Sequence, residues 1–178
     1  GQTYYIAAGV NFTSGSINLK GGTLIISGSV AANANLNVNK GLLVVNSGAT
    51  FARNSLNVNG GVTLKNYGTV NVNGTLIVNN ILQNYKTLNV TGGVTVNGNG
   101  LLENNGGTVS IGGDLMTNKT VVNKGVMTVS GNNITVNGGG KLQNDCILIW
   151  KGNMLGNGSL TGRMLNPLKV YTCKNGVT

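Results

Sequence analysis

Three carboxylates, twelve cationic side chains and two thiols are most of what this 178-residue chain offers for reactive chemistry, and histidine is absent. The acids are Glu103, Asp114 and Asp145. Glycoside hydrolysis needs two carboxylates facing one sugar ring, one as proton donor and one as base or nucleophile. These three fall in different repeat units at different offsets, so no such pair is expected. Without histidine there is no Ser-His-Asp or Cys-His arrangement and no His-based zinc site. Gly138-Gly139-Gly140 leads into Lys141 rather than into the Asp that a calcium-binding glycine repeat requires. No Gly-Lys-Ser/Thr ending makes a phosphate loop. The chain is therefore read as non-catalytic, with no metal and no cofactor.

The formal net charge of +9 favours anionic partners. The basic residues are scattered singly, without the clustering of nucleic-acid binders, so nucleic acid is not the expected partner. Arg53, Lys86, Lys124 and Lys141 fall late in successive repeats and are a candidate basic stripe for an anionic polysaccharide. The plainer account makes them solvated corner residues that discourage aggregation. The longest apolar run is Cys146 to Trp150, far short of the ~18 residues of a membrane span, and none is expected. Cys146 and Cys173 are a candidate disulfide if the chain meets an oxidising compartment, with two unpaired thiols as the alternative. The opening Gly1-Gln2-Thr3-Tyr4-Tyr5, without Met, is expected of a processed or trimmed terminus.

What would position any of these groups is a repeat. An apolar-polar-apolar triplet begins at Ile17, Leu36, Leu56, Val70, Leu88, Val109, Met127 and Ile147, with starts 19, 20, 14, 18, 21, 18 and 20 residues apart. A second alternating segment follows in most units, as in Thr23-Leu24-Ile25-Ile26 and Val94-Thr95-Val96. A third reads apolar-x-Asn, as in Leu82-Gln83-Asn84, Leu102-Glu103-Asn104, Val121-Val122-Asn123 and Leu142-Gln143-Asn144. Period-two alternation rich in Val, Ile and Thr signals strands, and the 30 glycines and 31 asparagines suit the bends between them.

Three short strands in roughly 19 residues is the size of one solenoid coil. The expected fold is all-β: a single-domain parallel β-helix, or β-solenoid, of about eight or nine coils with irregular caps. Residues 1–16 are expected to form an N-terminal cap or incomplete coil, 17–150 the repeats and 151–178 a C-terminal cap. At ~4.8 Å per coil the rod is about 40 Å long. The 14-residue interval is expected to mark a narrower coil with a missing or shared strand. The middle residues Asn18, Asn37, Asn57, Asn71, Asn89, Ser110 and Thr128 are expected to make one outward polar column. The Asn closing each third element is expected to turn inward or sit at a corner, where stacked amides can bond along the axis. An antiparallel sandwich competes, because Asn59-Gly60, Asn73-Gly74, Asn97-Gly98 and Asn137-Gly138 are hairpin-turn signals.

The segments Leu64-Lys65-Asn66-Tyr67-Gly68-Thr69-Val70-Asn71-Val72 and Leu82-Gln83-Asn84-Tyr85-Lys86-Thr87-Leu88-Asn89-Val90 resemble the Asn/Gly-rich β-strand repeats of large secreted bacterial surface proteins, nearest to those of the Bacteroidota. The resemblance covers roughly residues 17–150. It implies an adhesin, cell-surface or extracellular-fibre role. The expected protein is a secreted structural or adhesive solenoid that associates end to end or with other surface proteins. A module binding polysaccharide or another anionic surface is the alternative. Ice binding would need a regular Thr column, and Thr23, Thr63, Thr75, Thr95 and Thr135 do not share one offset.

Overall fold

Apolar side chains alternating with polar ones over three to five residues, interrupted by Gly and Asn, let the chain bend every few residues while always presenting one face inward. The computed structural model, which describes residues 1–163, winds these segments into a parallel β-solenoid of about eight turns with three parallel sheets and no helix among the described residues.

The first sheet stacks β1 (Thr3–Ile6), β4 (Thr23–Ile26), β7 (Gly41–Val45), β10 (Val62–Asn66), β13 (Ile81–Asn84), β16 (Leu101–Asn104), β19 (Thr120–Asn123), β22 (Lys141–Asn144) and β25 (Ser159–Gly162). The second stacks β2 (Asn11–Phe12), β5 (Ser29–Val30), β8 (Thr50–Arg53), β11 (Thr69–Val72), β14 (Thr87–Val90), β17 (Thr108–Ile111), β20 (Val126–Val129) and β23 (Ile147–Trp150). The third side has two pieces. One pairs β3 (Ser16–Leu19) with β6 (Asn35–Val38). The other stacks β9 (Leu56–Val58), β12 (Leu76–Val78), β15 (Val94–Val96), β18 (Leu115–Thr117), β21 (Asn133–Val136) and β24 (Asn153–Leu155).

Every ladder is parallel, so the Asn-Gly pairs that suggested hairpins are corners instead. Strands β1 and β2 lie within residues 1–16 and pair with the next coil, while β24 and β25 carry the winding on to Gly162.

The 14-residue interval is not a narrow coil. Leu56 lies on the third side and Val70 on the second, so the triplet changes face between them. The coil there is complete: Val62 pairs with Gly41 and Ile81 with Thr63, steps of 21 and 18 residues. The physical reason is that any strand with one face in the core reads apolar-polar-apolar, whichever side of the coil it occupies. Ile17, Leu36 and Leu56 belong to the third side, and Val70, Leu88, Val109 and Met127 to the second.

The core is built of columns. Leu24, Leu43, Leu64, Leu82, Leu102, Val121 and Leu142 stack behind the first sheet, and Val30, Phe51, Val70, Leu88, Val109, Met127 and Leu148 behind the second, all buried. Each such side chain contributes about 1.5–3 kcal/mol by leaving water. One column changes chemistry along the rod. Ile6, Ile26 and Val45 are succeeded in register by Asn66, Asn84, Asn104, Asn123 and Asn144, all completely buried.

These amides form a continuous ladder. Each Nδ2 donates to the Oδ1 of the next coil, at 2.7 Å from Asn66, 2.9 Å from Asn84, 2.8 Å from Asn104 and 2.7 Å from Asn123. The second amide hydrogen reaches a backbone carbonyl just past the corner of the next coil, such as that of Thr87, which opens β14, for Asn66 and that of Ile147, which opens β23, for Asn123, both at 2.7 Å. Glycine is required where that corner passes closest: a Cβ on Gly107 would lie 2.5 Å from Asn84 Nδ2, and one on Gly125 2.8 Å from Asn104 Nδ2.

A buried polar group left unpartnered costs about 1–3 kcal/mol, which makes the middle of the ladder more sensitive than its end. Asn104→Val strands groups on both neighbours, whereas Asn66→Val extends the aliphatic column from Val45. Denaturant unfolding should show a loss of about 2–5 kcal/mol for Asn104→Val and about 1–3 kcal/mol for Asn66→Val. Equal losses would mean that the rungs act independently.

Candidate functional site

The seven middle residues expected to make one outward column occupy two. Asn71, Asn89, Ser110 and Thr128 stand in register on the second sheet, and Asn89 Nδ2 donates to Asn71 Oδ1 at 2.9 Å. Asn18 and Asn37 pair on the third side, and Asn57 continues into Ile77 and Thr95. The division is the face change described above.

Beside the first of these columns runs another that the triplet alignment missed. Thr50, Thr69, Thr87 and Thr108 occupy the same outward position in four successive coils. Its sign in the sequence is a Thr directly before a triplet, as in Thr69-Val70-Asn71, Thr87-Leu88-Asn89 and Thr108-Val109-Ser110. The second sheet thus presents two adjacent rows of hydroxyl and amide groups repeating at the coil spacing, ~4.8 Å. Among the threonines first considered, Thr23 and Thr63 lie on the first sheet, Thr95 and Thr135 on the third side, and Thr75 at a corner.

The expected basic stripe is dispersed. Arg53 closes β8 on the second sheet, Lys141 opens β22 on the first, and only Lys86 and Lys124 share the corner between first and second sheets, two coils apart. Arg53 is half-buried, and its guanidinium donates to the Ala34 carbonyl in the preceding coil. Burial lowers its pKa from the ordinary arginine value. Lys124 forms an ion pair with Glu103 at 2.7 Å.

The three carboxylates likewise stay apart. Glu103 points outward from β16, where Gln83 Nε2 donates to it at 3.0 Å alongside Lys124. Its pKa is lowered chiefly by the Lys124 hydrogen bond, which outweighs the opposing effect of burial, with Gln83 and Asn105 adding to it. Asp114 is exposed at the corner before β18 and held low by the backbone N–H of Asn133, at 3.0 Å. Asp145 follows β22 and accepts from Gln143 Nε2 at 2.7 Å. Cys146 is buried and is not a free thiol; Cys173 lies outside the described residues.

The first coil carries two exposed aromatic rings. Tyr4 occupies an inward position paired with Leu24, yet is 46% exposed, and Tyr5 beside it is 69% exposed. Among the described residues, strands β1, β2 and β3 are each bonded on one side only. A cavity of about 290 Å³ lies between Tyr4, Ile17 and Leu19.

No family model, no curated protein and no solved structure matches this chain.

The depressed Glu103 carboxyl gives a pH signature. A lowered folded-state pKa contributes stability above the unfolded-state pKa and loses it as pH falls through the folded value. Lys124 is half-exposed, so solvent limits the pair to under about 1 kcal/mol. Glu103→Gln should therefore be slightly less stable than the parent at pH 7, with the difference vanishing below the carboxylate range. Thermal melts across pH check this, and a difference that persists in acid would assign the effect to packing.

Proposed function

We propose that this protein is a secreted, non-catalytic structural or adhesive rod that associates with copies of itself through its N-terminal end coil. The observation that carries this is the first coil, bonded on one side only among the described residues. A strand bonded on one side leaves unpaired N–H and C=O groups on the other, and natural β-proteins ordinarily blunt such edges with charge, proline or a covering element. Thr3-Tyr4-Tyr5-Ile6 carries neither charge nor proline, and it exposes two aromatic rings that another molecule can bury. The resemblance of the Asn/Gly repeats to bacterial surface proteins supports the secreted setting and the adhesive role. A basic stripe no longer supports binding to an anionic surface, because its four residues lie at different places.

The test is electron microscopy and sedimentation across a concentration series. The parent should form longer rods or filaments as concentration rises. Thr3→Pro combined with Tyr5→Lys should remain short, with an unchanged melting temperature. A parent that stays a single short rod at high concentration removes this function.

A second reading has its own observation. The paired rows Thr50, Thr69, Thr87, Thr108 and Asn71, Asn89, Ser110, Thr128 are regular along the rod, and a regular array suits a ligand that is itself periodic, such as a crystalline polysaccharide or ice. Sedimentation with crystalline cellulose or chitin and partition into growing ice test it. Thr87→Tyr, which breaks the plane at its centre, should abolish retention, and retention that survives the change excludes this face.

A further inference from the structure

The first sheet differs from the second in what it presents to solvent. Alternation turns Leu24, Leu43 and Leu64 inward, so the residues beside them point out. One outward column runs Ile25, Val44, Lys65, Gln83, Glu103 and Val122. The other runs Thr23, Leu42, Thr63, Ile81, Leu101 and Thr120 through the same coils. These side chains are half-buried by their neighbours and, unlike the Thr and Asn rows of the second sheet, change type from coil to coil. The aliphatic members of both columns leave apolar area on this face that a second surface can bury.

The order of residues along the axis identifies that surface. Gln83 has Lys65 one coil before it and Glu103 one coil after, with Val44 two before and Val122 two after. A second rod laid face to face and turned by a half-rotation about the strand direction keeps each column over its own copy and reverses the order of the coils. With the axis at Ile81 and Gln83, Lys65 meets Glu103 at two equivalent places, Val44 meets Val122, and Ile81 meets Ile81. Leu42 then faces Thr120 and Leu101 faces Thr63, so methyl groups cover the remaining apolar area. Every other antiparallel register parts Lys65 from Glu103, and a two-fold parallel pairing sets Lys65 over Thr63.

Charge agrees with this choice. Lys65 has no ion-pair partner among the described residues. Glu103 receives Lys124 at one oxygen and Gln83 at the other, and an ionised carboxylate has acceptor sites to spare for a further amine. No like charges oppose each other in this register, since Lys141, the remaining charged residue of the face, lies over Thr23. The footprint is about 35 Å by about 13 Å, roughly 450 Å² per copy against the ~800 Å² of a standard complex, so the pair is expected to be weak and concentration-dependent.

We propose that two copies of this chain pack face to face and antiparallel through the first sheet, related by a two-fold axis at Ile81 and Gln83. Such a pair buries the same patch on both copies and is closed at two. It goes beyond assembly through the first coil, which adds copies along the rod axis, because this contact lies on the side of the rod.

The test uses the full chain carrying Thr3→Pro and Tyr5→Lys, which blocks contacts through the first coil, in sedimentation equilibrium from micromolar to millimolar concentration. A reversible monomer–dimer equilibrium that goes no further is expected. Lys65→Glu should weaken it about tenfold or more with the melting temperature unchanged, because both ion pairs become like-charge contacts. Mixing Lys65→Glu chains with Glu103→Lys chains should restore the dimer, since an amine then meets a carboxylate at both places. Carbodiimide coupling of isotope-labelled with unlabelled chains should join Lys65 of one to Glu103 of the other, a product that coupling within one chain cannot imitate. A chain that stays monomeric throughout, a dimer indifferent to Lys65→Glu, or coupling that never joins these two residues between labelled and unlabelled chains overturns the proposal.

Discussion

The backbone ladder between coils is the constraint on which the rest of this structure depends. It fixes neighbouring coils at ~4.8 Å and in parallel register, so a residue type that recurs at the right offset must stack on itself. Stacking favours some chemistries and penalises others. Leucines and valines fill one another's contacts. Asparagines can both donate and accept along the axis, which lets the buried ladder from Asn66 to Asn144 satisfy itself. Aromatic rings can stack as well, and Tyr67 lies on Tyr85 with ring centres 4.6 Å apart and planes inclined by 13°. A column of like charges would instead repel at every step, which accounts for basic residues dispersed over several faces.

The same constraint explains what was legible in the sequence. Coil size, strand number and parallel winding could be read directly, because the repeat records them in every unit, whereas the Asn closing each third element stayed open between an inward and a corner position. Leu82-Gln83-Asn84 and Leu102-Glu103-Asn104 carry their burial in their alternation. The face occupied by each triplet could not be read that way. Leu56-Asn57-Val58 and Val70-Asn71-Val72 have the same local pattern, since local pattern reports only that one side of a strand meets a core. Which side of the coil a strand occupies depends on the summed lengths of the corners before it, and corners differ by one or two residues from coil to coil. The outward column, the basic stripe and the supposed narrow coil all inherited that ambiguity. The row through Thr50, Thr69, Thr87 and Thr108 was hidden for the same reason, being visible only once the register was known.

The rod is also less uniform than its repeats. In the first three coils Ile6, Ile26 and Val45 occupy the column that Asn66 and its successors fill thereafter. The third side is interrupted between the second and third coils, and the triplet changes face between the third and fourth. Every acidic residue lies beyond residue 102. The first three of these changes fall between the second and fourth coils, with an aliphatic column before them and the amide ladder after, while the acidic residues begin only in the sixth coil.

That division bears on where a solenoid can carry specificity. A perfectly repeated surface offers every coil the same contacts, so it suits ligands that are themselves periodic and cannot fix a single register on one that is not. A unique site requires a place where the repeat fails. Here the failure costs the backbone bonds that β6 and β9 would have exchanged, and the continuous first and second sheets hold the two coils together across it. The missing ladder is therefore a local defect in one side of a rod whose other two sides are continuous. A contact that must hold one register on a non-repeating partner therefore falls where the repeat is broken and not on the regular faces.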